Sequence, residues 1–150
     1  IITYLMQKEN LSVYDMNYIL NKESGIYGVS GISVDMRDIE VEAEAGGYHA
    51  QLALDVFHYL TACYIARCAV AMGGIDVLTF TAGVGEKGPI SRNAICKQLE
   101  FLGVKIDEVK NDVKGEEREI SASDSKVKIY IVPTNEELMI ARETLRLVGV

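Results

Sequence analysis

Apolar and polar positions alternate along the chain in blocks that predict helix, strand, helix, strand, helix. Residues 48–72 place apolar side chains at 52, 56, 59, 60, 63 and 70, a helical spacing, and Gly73-Gly74 supplies a left-handed stop. Residues 77–81 form a short apolar run that predicts a strand. A glycine-rich turn follows, and Pro89 is suited to the first position of a helix over 89–102 that ends at Gly103. Residues 104–126 are charged and less regular, which predicts a short strand pair around an exposed loop at 110–117. Residues 127–132 alternate and predict a second strand, and 134–148 predict a closing helix. Upstream, residues 1–9 read as the end of a helix with Ile2, Leu5 and Met6 on one side. Ser12 with Asp15 opens a short helix carrying Val13, Met16, Ile19 and Leu20. Gly25, Gly28 and Gly31 predict a loop. Asp35 caps a helical turn through Glu40, and an acidic surface segment follows to Gly46-Gly47.

This order is that of an α/β protein with parallel strands. Two strands make a poor sheet, because parallel strands are normally buried within larger ones. The chain is therefore expected to be a piece of a larger fold, one domain of 150 residues with its earlier strands missing. An apolar content of 49% with 25% charged residues is ordinary for a globular protein. The net charge of −7 argues against nucleic acid or anionic membrane as a partner, so any phosphate must be held locally. Cys63, Cys68 and Cys96 are an odd set without metal-ligand spacing, expected to be reduced, buried thiols of a cytoplasmic protein. The longest stretch of the long helix without an acid, Arg or Lys is residues 56–66, too short a run to span a bilayer. A buried core helix is expected there, and Ile1-Ile2-Thr3 shows no secretory leader.

Three places could carry chemistry. In Thr81-Ala82-Gly83-Val84-Gly85-Glu86-Lys87-Gly88-Pro89, glycines allow close backbone approach and φ > 0, and a helix N-terminus behind them offers N–H groups to an anion. A plain strand-to-helix loop explains the same residues. The segment matches neither the dinucleotide fingerprint nor a Walker A loop. In Pro133-Thr134-Asn135-Glu136-Glu137, Thr134 and Glu137 fit a capping box. That leaves Glu136 at the carboxyl end of a strand, placed either to hold Mg²⁺ or merely to complement the helix dipole. Asp35-Met36-Arg37 is weak alone, since Asp is a common helix cap. His49 and His58 read as structural, and Tyr59 and Tyr64 as packing residues.

Taken together, Ser30–Asp38, Phe80–Glu86, Leu99–Gly103 and Val132–Leu138 resemble, in order, motifs of the acetate kinase family of acid kinases, within the acetate- and sugar-kinase/actin superfamily. The resemblance extends over essentially the whole chain. It implies a partial actin-like, ribonuclease H-like ATPase domain, the C-terminal part, with parallel strands packed against helices. It also implies ATP-dependent phosphorylation of acetate, with ATP or ADP as substrate and Mg²⁺ as cofactor. In that family the segments matching Asp35, Met36, Arg37 and Gly83, Val84, Gly85, Glu86, Lys87 bind nucleotide, and the residue matching Glu136 binds the metal.

Lys87 and Gly88 depart from the family pattern, which has an amide and a small hydroxylated residue there. The family's catalytic residues and acetate pocket have no counterpart among these motifs, so no catalytic residue is expected here and the chain alone is expected not to turn over. A propionate or butyrate kinase shares the motifs. A non-catalytic dimerisation module is the alternative from another class, since family members form homodimers through this half. Neither nucleic acid nor membrane is an expected partner.

Overall fold

The computed structural model describes residues 1–149, which fall into two compact units, Ile1–Leu60 and a second that begins at Thr61. The first unit is helical: α1 (Ile2–Lys8), α2 (Val13–Lys22), α3 (Gly25–Ser30), α4 (Met36–Glu44) and the first half of α5 (Tyr48–Met72). Ser12 and Asp15 close the capping box that opens α2, each side chain bonding the other's backbone N–H. The expected loop at 25–31 is instead α3. Its glycines cost helix propensity, but Gly31 at φ 68° ends it with a left-handed cap. α4 also extends beyond the expected turn, to Glu44, because Ile39 and Met36 face a small core with Ala50, Ala53 and Leu54 of α5.

The second unit holds the rest of α5, then β1 (Val77–Phe80), α6 (Ala82–Lys87), α7 (Pro89–Gln98), a 3₁₀ turn (Glu100–Leu102), α8 (Glu108–Asn111), β2 (Arg118–Glu119), β3 (Lys128–Ile131) and α9 (Glu136–Val148). Its sheet runs β1-β3-β2. β1 and β3 are parallel, with Val77 opposite Lys128 and Phe80 opposite Ile131. β2 adds a short antiparallel strand, so the sheet is mixed. In β3 the branched Ile129 and Ile131 alternate with Lys128 and Tyr130, and this period of two buries one face. The core collects Phe80, Ile95, Cys96, Leu99, Val104, Ile120, Val127, Ile129 and Ile131, joined by Ala62 of α5. Instead of the strand pair expected over 104–126, one bridge links Ile106 and Ser121, and α8 occupies the start of the expected loop.

α5 has the expected ends and a different buried face. Ala50, Ala53, Leu54, His58, Ala62 and Ala69 are buried, whereas Leu52, Tyr59, Leu60, Cys63, Tyr64 and Val70 are exposed. The helix is apolar all round, so periodicity could not choose a side. Tyr59 and Tyr64, expected to pack, are 58% and 64% exposed. Of the three thiols only Cys96 is buried, and burial pushes it up to about 12, which makes it inert; Cys63 and Cys68 are exposed. No helix among the described residues is long and apolar enough to cross a membrane.

Candidate functional site

The glycine segment is not an open turn. Ala82–Lys87 forms α6, and the one left-handed residue there is Ala82 at φ 58°, not a glycine. A non-glycine residue in that region stores about 1–3 kcal/mol that the surroundings must hold. A Cβ on Gly83 would meet nothing within 4 Å, so that side of the backbone is open to an approaching group. At Gly88 the reason for glycine is contact: a Cβ there would stand 2.6 Å from the carbonyl oxygen of Val84. Lys87 is exposed and makes no ion pair among the described residues.

α9 begins one residue later than the capping box required. Asn135 is the N-cap, and its side-chain oxygen accepts from the N–H of Leu138 at 3.0 Å. Thr134 is thereby freed from capping. Its N–H and hydroxyl both donate to one carboxylate oxygen of Glu86, at 2.7 Å and 2.9 Å. These two donors, with the Ala82 N–H and the charge of Lys87 as smaller contributions, hold the Glu86 carboxyl below the usual glutamate range. Glu86 is 8% exposed, and its tie reaches across 48 positions of sequence.

Stabilising interactions of a depressed carboxyl are present above its unfolded pKa and lost as pH falls through the lower native value. The Thr134 amide resonance is therefore expected to titrate at a midpoint below the ordinary glutamate value of about 4.3. A midpoint at or above that value would remove the clamp.

β1 and β3 end side by side, Phe80 accepting from the N–H of Val132 at 2.9 Å, and each leads into a helix. The N-termini of α6 and α9 thus emerge together at the carboxyl ends of adjacent parallel strands, where open α/β sheets take their ligands. Glu136, the first residue of α9, is exposed, and its carboxylate has no hydrogen bond or ion pair among the described residues. A free carboxylate suits one ligand position of Mg²⁺, which keeps several waters and takes one or two carboxylates. It does not make a closed cage: no group of three or more His, Cys, Asp or Glu is placed to hold a metal among the described residues.

Beneath α6 lies a residue that the sequence did not single out. Arg92 is fully buried, and its five N–H donors are all used. Nε donates to Asn111 Oδ1 at 2.7 Å, Nη1 to the carbonyls of Gly85 and Glu86 at 2.8 Å and 3.0 Å, and Nη2 to those of Asn111 and Val113 at 2.7 Å each. Burial lowers the guanidinium's basicity, yet such a group stays protonated in proteins. Its position in the sequence held a signal: Arg92 precedes the buried Ile95, Cys96 and Leu99 at helical spacing, a charge on an apolar face.

Asp35, Met36 and Arg37 lie in the first unit. Asp35 caps α4 through the Arg37 N–H at 2.9 Å, and the same carboxylate receives the Arg37 guanidinium, which lowers it to about 2. Met36 packs on the first unit's core, and the Arg37 side chain is 86% exposed. Within the second unit the structure brings Gly83–Lys87, Thr134 and Glu136 to one end of the sheet; within the first, Asp35–Arg37 form the cap of α4.

Comparison with known proteins bears on this arrangement. The acetokinase family model matches residues 1–142. An acetate kinase of Dictyoglomus turgidum is 59% identical over 145 residues, covering 97% of this chain and 36% of that protein. Among solved structures, Porphyromonas gingivalis acetate kinase has a TM-score of 0.90 at 41% identity, covering 98% of this chain and 37% of that one. A propionate kinase from Francisella tularensis has a TM-score of 0.85 at 35% identity, with 94% and 36% covered. The chain thus spans little more than a third of the length of these relatives.

Proposed function

The chain belongs to the acetokinase family, and from that membership we propose that it forms the nucleotide- and Mg²⁺-handling part of an acetate kinase, ATP + acetate ⇌ ADP + acetyl phosphate. One observation carries the reading: Glu86 joins the glycine helix to the residue two before Glu136, at the carboxyl ends of two adjacent parallel strands. The backbone of Gly83–Lys87 contacts adenosine and phosphates, with the open side of Gly83 as the place of approach. Asp35, Met36 and Arg37 line the nucleotide site, and Glu136 holds Mg²⁺ directly or through water. When bound, the ion would neutralise phosphate charge, as phosphoryl transfer requires. That transfer needs several positioned groups at once, and a chain covering about a third of its relatives is proposed not to turn over alone.

Acetate is the proposed acid, and the likeness to a propionate kinase keeps propionate as the alternative. A homodimer and a cytoplasmic location complete the proposal. The bare apolar side of α5 around Leu52, Tyr59 and Leu60 supports self-association, and sedimentation of the purified chain checks it. That same face favours a second reading, an assembly module that binds no nucleotide.

Calorimetric titration with ATP, with and without Mg²⁺, separates the two. Binding is expected to depend on Mg²⁺, and Glu136→Gln is expected to weaken the Mg²⁺-dependent part by about tenfold, roughly 1.4 kcal/mol. Undiminished binding by that variant would remove Glu136 from the site. Self-association with no heat from ATP would select the assembly module.

A further inference from the structure

Glu86 is poorly placed to touch a nucleotide with its side chain. The carboxylate is buried, and one of its oxygens already accepts twice from Thr134. A negative group would also repel phosphates unless a cation stood between them. What this side chain does hold is the backbone at Thr134, immediately before the Asn135 cap and two residues before Glu136. Two donors from one residue fix both the position and the orientation of that backbone.

The backbone carrying Glu86 is itself fixed from beneath. Arg92 grips the carbonyls of Gly85 and Glu86 with one nitrogen and those of Asn111 and Val113 with the other. Asn111 is held in turn by donating to the Pro89 carbonyl at 2.9 Å, and the Gly115 N–H reaches the Glu86 carbonyl at 2.9 Å. Contacts therefore run without a gap from the 111–115 loop, through Arg92 and Glu86, to the start of α9.

The geometry points to Glu86 and Arg92 as positioning residues that set where Glu136 stands relative to the glycine helix, Glu86 acting through Thr134 and Arg92 through the backbone of residues 85 and 86. Neither side chain touches the ligand in this role. The inference rests on the reading of Glu136 as the carboxylate that meets Mg²⁺. Groups that orient a metal ligand from behind typically change metal affinity by about 10–100-fold when removed.

Two readouts test it on the chain with Glu86→Ala, Glu86→Gln, Thr134→Val and Arg92→Lys. In the ligand-free chain, Glu86→Ala is expected to speed hydrogen exchange of the Thr134 amide about tenfold while Ile129 and Ile131 keep their protection. Glu86→Gln, which keeps an accepting oxygen, restores most of it, and Arg92→Lys raises exchange at Thr134 without altering either donor. In ATP titrations, Glu86→Ala and Thr134→Val are expected to weaken the Mg²⁺-dependent part about tenfold and to leave Mg²⁺-free binding within about twofold.

Equal weakening with and without Mg²⁺ would make Glu86 a nucleotide contact and overturn the proposal. So would wild-type exchange at Thr134 in a folded Glu86→Ala chain. Failure of the unsubstituted chain to bind ATP would defeat the kinase reading instead, and the exchange data alone would then decide whether the coupling exists.

Discussion

Replacing Arg92 by Leu is expected to destabilise the second unit by roughly 3–5 kcal/mol, among the largest losses available to any single side chain here. The guanidinium is fully buried, and all five of its hydrogen bonds go to neutral oxygens, four of them backbone carbonyls. No carboxylate is among these partners, so the charge is balanced by dipoles. Gly85 and Glu86 lie in the last turn of α6, where helix carbonyls favour a cation. Leu fills similar space but leaves those carbonyls buried without donors, and each costs about 1–3 kcal/mol when neither protein nor water satisfies it. Lys, with three donors on one nitrogen, cannot reach both sides of the cradle and is expected to fall between the two. In a chain of this size, a loss of that order lowers the melting temperature by roughly 10 °C. Thermal and urea melts check this, and a loss under about 1 kcal/mol would mean that water enters and satisfies the carbonyls.

Sequence reached the elements whose signals are local and missed those whose partners are distant. The bounds of α5 were legible because Gly73-Gly74 stop it, and the start of α7 because Pro89 opens it. The Ser12–Asp15 box was legible because both halves lie within one turn. α6 was not, since two glycines in six residues weigh against a helix by about 1 kcal/mol each. It forms because Arg92 and Thr134 hold its last turn from outside, Arg92 on the Glu86 carbonyl and Thr134 on the Glu86 carboxylate.

Thr134 illustrates the same limit. Thr134 and Asn135 both suit a cap, and the choice between them rests on a carboxylate 48 residues away. Of the candidate site, the glycine segment and Glu136 were legible from their place after strands, and the family resemblance supplied their proposed roles. The tie between them was not, because nothing local distinguishes a clamping glutamate from a ligand-binding one. The buried side of α5 was equally hidden, since apolar residues surround that helix and only the rest of the fold selects a face.

Truncating Ile131 to Ala is the other large effect expected, about 2–5 kcal/mol, against about 0.5–1.5 for Ile131→Val. Ile131 is fully buried in the central strand, opposite Phe80 on one side and Arg118 on the other. Removing three carbons there costs their transfer from water and leaves a cavity that the flanking strands and α7 cannot close without shifting. A shift of β3 would also move the residues that follow it, Val132 to Glu136, because the ladder bond from the Val132 N–H to Phe80 fixes where the strand ends.

The two routes to a misplaced Glu136 can be told apart. Ile131→Ala lowers the midpoint of urea unfolding at an unchanged slope and loosens the amides of the sheet and of residues 132–136 together. Loss of the Glu86 clamp loosens the start of α9 first. A core truncation that left the unfolding midpoint in place would mean that Ile131 sits in a site able to collapse, and that the sheet draws its stability from Ile129, Val127 and Leu99 instead.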